Sequence, residues 1–217
     1  MPRPIAPPRA LTRSTLALGA RALSRHDPDL AALLRRQGLP PMWARRPGFA
    51  TLIHIVLEQQ VSIAAARTLF LRLRQHLGEM SPRAVADCGA TGLRRFGLTR
   101  QKASYCQDLA IAVDRGQLDL RGIARAPDTA GRESLLAMRG LGPWTVDIYY
   151  LMALRRPDVW PTGDLALAEA LRHVKRLTRR PDTSEQQAIS AGWAPWRSVA
   201  ARLLWHYYLN TRRSHRD

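Results

Sequence analysis

The sequence contains very little cysteine and no long run of apolar residues. Because Cys88 and Cys106 are the only cysteines among 217 residues, the chain can form neither a disulfide framework nor a four-cysteine zinc site or iron–sulfur cluster. So few cysteines are typical of a reducing compartment. No segment reaches the roughly 18 consecutive apolar residues of a membrane-spanning helix, so the sequence predicts no membrane association.

Acidic residues and lysines are also scarce. The chain has 34 Lys and Arg against 17 Asp and Glu, a net charge of +17, and Lys102 and Lys175 are its only lysines. The excess charge therefore resides on arginine, whose planar guanidinium forms two parallel hydrogen bonds to phosphate. This composition favours a nucleic acid partner, although an arginine- and alanine-rich chain can also reflect a GC-rich coding sequence.

Convincing strand patterns are absent as well. Apolar residues recur at helical spacing through most of the chain, and glycines, prolines and capping residues separate these segments. The sequence therefore predicts an all-α fold of around ten helices. The first 26 residues carry five arginines and no acidic residue, so we expect residues 1–23 to form a flexible basic leader. Residues 210–217 contain three further arginines, and we expect them to form a basic tail.

The segment LLAMRGLGPWTVD (residues 135–147) has the pattern of two helices joined by a tight hairpin. Gly140 and Gly142 would form the bend, and Pro143 is favoured as the first residue of the second helix. The backbone N–H groups of Gly140, Gly142 and Trp144 could then hold a phosphate oxygen, and the missing side chains would let a DNA backbone approach. Taken alone, the same pattern also fits an ordinary turn between helices.

An acidic residue follows twenty residues beyond Trp144. Asp164 lies in the segment PTGDLAL and immediately precedes an apolar helix. The simplest interpretation of this residue is an N-cap, since aspartate accepts hydrogen bonds from the first free N–H groups of a helix. Combined with the hairpin, Asp164 becomes a candidate catalytic carboxylate.

With this hairpin and aspartate the chain resembles the helix-hairpin-helix DNA glycosylase superfamily, in particular its alkylpurine (3-methyladenine type II) branch. Three further stretches, residues 49–62, 97–109 and 193–205, extend the resemblance over about residues 27–209. It implies two helical subdomains flanking a DNA-binding cleft, without the additional amino-terminal β domain of some members. Residues 24–47 with 157–209 would carry the catalytic aspartate, and residues 48–156 the wedge loop and the hairpin.

The resemblance also implies the reaction. Asp164 matches the essential carboxylate of the family, which stabilises an oxocarbenium-like sugar. Trp144 occupies the position where bifunctional members carry a nucleophilic lysine, and an indole cannot form a Schiff base. We therefore expect a monofunctional enzyme that removes the base and leaves the abasic site uncut.

For the substrate pocket, Trp144 and Trp205 match family positions, and Tyr149, Tyr150 and Gln59 are further candidates. Aromatic faces attract a cationic base. Where some relatives have a tyrosine four residues after Trp144, this chain has Ile148. The other tryptophans are expected to pack in the core; they are Trp43, Trp160, Trp193 and Trp196.

For DNA contacts, the segment EQQ (residues 58–60) matches the family's wedge loop, and Gln60 takes the position of the residue inserted into the duplex. The remaining candidates are Gly140, Gly142, Trp144, Thr145 and Arg139. The resemblance also implies a monovalent cation on the hairpin carbonyls of Met138 and Leu141. We expect no other cofactor and no metal held by side chains.

Together these features predict a monofunctional, monomeric glycosylase that flips alkylated purines, such as 3-methyladenine or 7-methylguanine, out of double-stranded DNA and excises them in base excision repair. We expect it in the cytoplasm, at a bacterial nucleoid. An organelle or the nucleus is the alternative, since the composition of the basic leader is also that of a mitochondrial transit peptide. Three other functions stay open: a helix-hairpin-helix DNA-binding module without catalysis, a glycosylase for uracil or hypoxanthine, and a bifunctional glycosylase/lyase.

Overall fold

The computed structural model describes residues 8–214, with the backbone alone for residues 213 and 214. These residues contain twelve α-helices, one π-helical segment and no strand, which confirms the all-α prediction. The helices are α1 Arg13–His26, α2 Pro28–Gln37, α3 Phe49–Glu58, α4 Ile63–Leu77, α5 Pro82–Arg95, α6 Arg100–Asp114, α7 Leu120–Arg125, α8 Asp128–Leu136, α9 Pro143–Ile148, α10 Leu165–Val174, α11 Thr183–Ala191 and α12 Arg197–Ser214, and the π-helix is Tyr149–Ala153. No helix in this part of the chain combines the length and the hydropathy needed to cross a membrane.

The chain divides into two compact units. The central unit is Arg45–Tyr149, and the discontinuous unit combines the described residues up to Ala44 with those from Tyr150 onward. Both boundaries lie a few residues before those expected from the sequence, at 47/48 and 156/157. The second boundary falls between Tyr149 and Tyr150, within the π-helix that follows α9.

The expectation of a flexible leader over residues 1–23 is wrong from Arg13 onward. Thr12 caps α1 through reciprocal hydrogen bonds with Thr15, and Leu16 and Leu23 form part of a buried stripe at helical spacing. The three arginines of α1 are exposed and lie on the other side of the helix; they are Arg13, Arg21 and Arg25. Residues 1–7 lie outside the described residues.

The basic tail expected over residues 210–217 is likewise helical as far as the structure describes it, since α12 extends to Ser214. Residues 215–217 lie outside the described part of the chain. In the discontinuous unit α12 packs against α1, α2 and α10. A Cβ on Gly19 of α1 would lie 2.6 Å from the Trp196 ring, so this glycine allows the close approach of α1 to the segment that leads into α12.

In the central unit α3 packs against α4, α6 and α9. Leu52, Ile55 and Leu57 of α3 are fully buried, and their burial fixes the carboxyl end of the helix, from which the predicted wedge loop leaves. Helices α8 and α9 carry the predicted hairpin between them. The Arg132 side chain of α8 forms an ion pair with Asp147 of α9, which is 1% exposed, and this buried pair connects the two arms of the hairpin.

Candidate functional site

Asp164 lies at the N-terminus of α10 in the discontinuous unit. Its Oδ1 accepts hydrogen bonds from the Leu167 backbone N–H at 2.9 Å and from Nε1–H of Trp205 at 3.3 Å. A left-handed turn at Gly163 (φ 75°) precedes it, and the residue is 7% exposed. Asp164 is therefore an N-cap, as its simplest interpretation requires, and it also lies against an indole, as the catalytic interpretation requires. A helix N-terminus stabilises a negative charge at this position.

The indole of Trp205 meets a second indole. The ring of Trp43 lies 6.5 Å from that of Trp205, centroid to centroid, with the two planes at 78°, and 6.3 Å from the ring of His206. The expectation that Trp43 packs in the core is wrong, because this residue lies in the loop between α2 and α3 and is partly exposed. Trp160, Trp193 and Trp196 are buried, as expected.

The two tyrosines assigned to the pocket occupy a different environment. Tyr149 and Tyr150 are both 0% exposed, and the Tyr149 hydroxyl accepts a hydrogen bond from the Gly48 N–H at 3.0 Å. Burial raises the pKa of the Tyr149 hydroxyl. Neither ring has a face accessible to a base in this conformation, so the burial argues against the predicted pocket role. Trp144, at the second position of α9, is partly exposed.

The hairpin uses its two glycines differently. Gly140 adopts a left-handed conformation (φ 91°), and a Cβ there would lie 2.3 Å from Cγ of Tyr105. Gly142 has an ordinary φ of −77°, and a Cβ there would meet nothing within 4 Å. Internal packing therefore already requires glycine at position 140. The approach of a DNA backbone to the two glycines stays a prediction, and Gly142 has open space for it.

Arg139 is already engaged within the hairpin. Its guanidinium donates to Asp108 at 2.6 Å and lies over the Tyr105 ring, 5.4 Å from its centroid. The Arg139 side chain is nevertheless 64% exposed, so it can contact a phosphate only while paired with Asp108 or after exchanging that partner.

The wedge loop (residues 58–60) is connected to the hairpin through one side chain. Nε2–H₂ of Gln59 donates to the Gly140 carbonyl and to Oγ1 of Thr145, both at 2.9 Å. Thr145 is 2% exposed. The two side chains therefore bind each other and hold the wedge loop against the hairpin. The pocket role of Gln59 and the phosphate contact of Thr145 stay predictions.

Gln60, the predicted inserting residue, is exposed and has a left-handed backbone conformation (φ 57°). The apolar side chains that follow it, Val61 and Ile63, are 47% and 64% exposed. The loop and the first residue of α4 therefore present the polar side chains of Gln60 and Ser62 and the apolar side chains of Val61 and Ile63 to solvent, an arrangement suited to a surface that contacts unstacked bases.

Lys102 of α6 is a residue to which the sequence analysis gave no role. Its ammonium donates to the carbonyls of Leu57 and Gln59, each at 2.7 Å, and burial lowers its pKa. A cation at the carboxyl end of a helix is favourable because it binds the last free carbonyls. The one sequence signal was that Lys102 is one of only two lysines in an arginine-rich chain.

We expect Lys102→Met to loosen the wedge loop. Two carbonyls at the end of α3 would lose their donor, which costs about 1–3 kcal/mol, and amide hydrogen exchange over residues 57–62 would accelerate. Urea denaturation and exchange mass spectrometry measure these effects. Arg100→Met, an exposed position on the same helix, is the matched control that removes a charge without removing this anchor. Equal behaviour of the two variants would contradict the anchoring role.

The described residues contain no group of three or more His, Cys, Asp or Glu side chains arranged to hold a metal. Among the hairpin carbonyls, that of Met138 accepts from the Leu141 N–H at 3.1 Å, and that of Gly140 is bound by Gln59. A monovalent cation on the Met138 and Leu141 carbonyls stays a prediction.

Comparison with known proteins identifies a family and several named relatives. A family model for HhH-GPD superfamily base excision DNA repair proteins matches residues 53–195. Over 185 residues the chain is 26% identical to the Bacillus subtilis protein named putative DNA-3-methyladenine glycosylase YfjP, covering 82% of this chain. It is 28% identical over 165 residues to DNA-3-methyladenine glycosylase 1 of Schizosaccharomyces pombe, covering 74% of this chain and 72% of that one.

Among solved structures, the fission yeast 3-methyladenine DNA glycosylase Mag1 in complex with abasic DNA superposes with a TM-score of 0.78 at 25% identity. The superposition covers 87% of this chain and 95% of Mag1. The chain spans about three fifths of the length of the Bacillus subtilis relatives that it matches, 64% of one and 59% of the other.

Proposed function

The chain belongs to the HhH-GPD superfamily of base excision DNA repair proteins, and we propose that it is a monofunctional DNA glycosylase that hydrolyses the N-glycosidic bond of alkylated purines in double-stranded DNA. The observation that carries this proposal is the buried Asp164 carboxylate, hydrogen-bonded to the indole of Trp205 at the N-terminus of α10. The names of the relatives in Bacillus and fission yeast, and the abasic DNA bound to Mag1, support the same substrate class.

The chemistry of alkylated purines suits a site with one carboxylate. Alkylation at N3 or N7 gives the base a positive charge and makes it a good leaving group, so a strong general acid is unnecessary. The remaining task is to stabilise the positive charge that develops on the sugar and to position water. Asp164 would do both, as a carboxylate does in glycoside hydrolysis, while the face of Trp205 attracts the cationic base.

The positions of the two lysines support hydrolysis without strand cleavage. Lys175 donates to Asp27 at 2.8 Å and to Asp29 at 2.9 Å. Burial opposes its positive charge, but these two carboxylates outweigh burial and raise its pKa. Lys102 is bound to the carbonyls at the end of α3. Neither amine is a free base that could attack C1′, and α9 carries Trp144 where a lyase would carry lysine.

For DNA binding we propose that the hairpin holds a phosphate at Gly142 and that Gln60 fills the gap left by the flipped nucleotide. The open space at Gly142 and the exposed left-handed turn at Gln60 support these assignments. The net charge of +17 supplies the long-range attraction to DNA. We further propose that the protein works as a monomer at the chromosome in a bacterial cytoplasm, since Cys88 and Cys106 are free thiols.

We expect the purified protein to release 3-methyladenine or 7-methylguanine from methylated duplex DNA and to leave uncut abasic sites. Mass spectrometry of the free bases and gel electrophoresis of the strands measure this, and borohydride should trap no covalent adduct. Salt-sensitive binding without any released base would favour the non-catalytic module, release of uracil or hypoxanthine alone would favour the deaminated-base enzyme, and a trapped adduct would reveal a lyase.

A further inference from the structure

Trp43 has a backbone conformation that is unusual for a bulky residue. Its φ of 44° lies in the left-handed region, which is unfavourable for a bulky aromatic residue and persists only where the surroundings impose it. Such outliers concentrate at functional sites. The described residues contain three other non-glycine residues with positive φ, and one of them is Gln60, the residue proposed to enter the duplex.

Arg202 binds the backbone immediately before Trp43. Its side chain is 0% exposed, and it donates to the carbonyls of Met42 at 3.1 Å, Leu151 at 2.8 Å and Ser198 at 3.1 Å. Burial lowers the pKa of this guanidinium to about 10, so it stays protonated near neutral pH and keeps all of these donors. The Met42 carbonyl belongs to the peptide bond that precedes Trp43, and Arg202 therefore holds the turn that orients the indole.

The Trp43 indole contacts the indole that binds the candidate catalytic group. The planes of Trp43 and Trp205 are nearly perpendicular, and Nε1–H of Trp205 donates to Asp164. We call this arrangement of Trp43 and Trp205 the indole corner. His206 lies next to it, and burial lowers the pKa of its imidazole, which favours the neutral ring.

We propose that Trp43 is a substrate-recognition residue whose indole, together with that of Trp205, receives a planar cationic purine beside Asp164, and that Arg202 is the positioning residue for Trp43. This inference rests on the proposed glycosylase function. Of the aromatic side chains, tryptophan attracts a cation over its face most strongly. Trp43 is partly exposed while Trp205 is 7% exposed. Trp43 is therefore the more accessible of the two indoles to an incoming base.

The test compares the wild-type chain with Trp43→Leu and Trp43→Phe. Single-turnover excision from a duplex with one 7-methylguanine should slow about 3- to 30-fold in Trp43→Leu, the range expected for a lost cation–π contact, and less in Trp43→Phe. Affinity for the same duplex with a tetrahydrofuran abasic analogue should change less than about 2-fold, because no base occupies the corner. This base-free duplex separates recognition of the base from a general loss of structure.

Arg202→Met, made in the wild-type and Trp43→Leu backgrounds, tests the positioning role. Excision should fall in the wild-type background and change little further in Trp43→Leu, since a residue that acts through Trp43 has no effect without it. Additive losses would show that Arg202 acts through stability alone. If Arg202→Met does not fold, the Trp43 variants still decide the recognition role.

The outcomes separate the two proposals. An active wild-type chain with an equally active Trp43→Leu variant would overturn the recognition role and leave the proposed function standing. Parallel losses of excision rate, affinity for abasic DNA and melting temperature in Trp43→Leu would show that Trp43 contributes only to packing and would also overturn the recognition role. A wild-type chain that releases no base would overturn the proposed function, and the inference that rests on it.

Discussion

Asp164→Asn should slow base excision by about 10²- to 10³-fold, the size of effect seen when one preorganised electrostatic group is removed from an active site. The substitution removes the carboxylate that we propose stabilises the developing oxocarbenium-like sugar, while it preserves the size of the side chain. Single-turnover release of 7-methylguanine from a duplex oligonucleotide measures the rate, and binding to an abasic duplex should stay close to that of the wild type.

The fold should tolerate this change. Asparagine is as good an N-cap as aspartate, so the bond from the Leu167 N–H is kept, and the amide oxygen can still accept from Trp205. Asp182→Asn is the matched control, because Asp182 caps α11 through the Glu185 N–H at 2.9 Å on the exposed surface. If excision by Asp164→Asn stays within a few-fold of the control, Asp164 is an N-cap alone and the enzyme assignment is wrong.

Gly140→Ala should destabilise the central unit by about 2–4 kcal/mol, which lowers the melting temperature of a chain of this size by about 5–15 °C. The added Cβ would lie 2.3 Å from Cγ and 2.7 Å from Cβ of Tyr105. These atoms are at the base of the Tyr105 side chain, so the ring cannot simply swing away. The left-handed backbone (φ 91°) adds strain for any residue with a side chain.

Gly142→Ala is the matched control for this prediction, since it lies two residues away and meets no atom. We expect its melting temperature to stay within about 2 °C of the wild type while its affinity for DNA falls, because the new methyl group would face the phosphate. Thermal denaturation and fluorescence anisotropy with an abasic duplex measure the two properties. Equal stability of both variants would contradict the packing role of Gly140, and unchanged DNA affinity of Gly142→Ala would contradict the phosphate contact.

Local patterns predicted much of the fold and the candidate catalytic residue. Caps such as Ser62, Thr99 and Asp164 each accept from an N–H group of the helix that follows, and such bonds depend only on neighbours in the chain. The hairpin glycines and Pro143 were recognisable for the same reason. Composition predicted structure less reliably. The five arginines among the first 26 residues indicated a flexible leader, although the apolar residues of α1 lie at helical spacing.

Contacts between distant segments account for what the sequence left open or indicated wrongly. Gln59 and Thr145 are 86 residues apart and bind each other, a contact that no pattern within either segment indicates. Trp43 gave no local signal, since its neighbours in the loop do not predict a contact with α12. Tyr149 and Tyr150 were candidates for the pocket but are buried, because the chain continues from α9 into a π-helix whose residues pack inward.

By itself, the sequence determined the helical segments, the two-glycine bend and the aspartate at the start of α10, since helical periodicity and capping act within a few residues along the backbone. Only the tertiary structure decided which indoles stand near that aspartate, which glycine leaves room for a phosphate and which lysines are already bound. Those properties follow from the packing of side chains brought together from segments far apart in the chain, and no pattern within one segment specifies them.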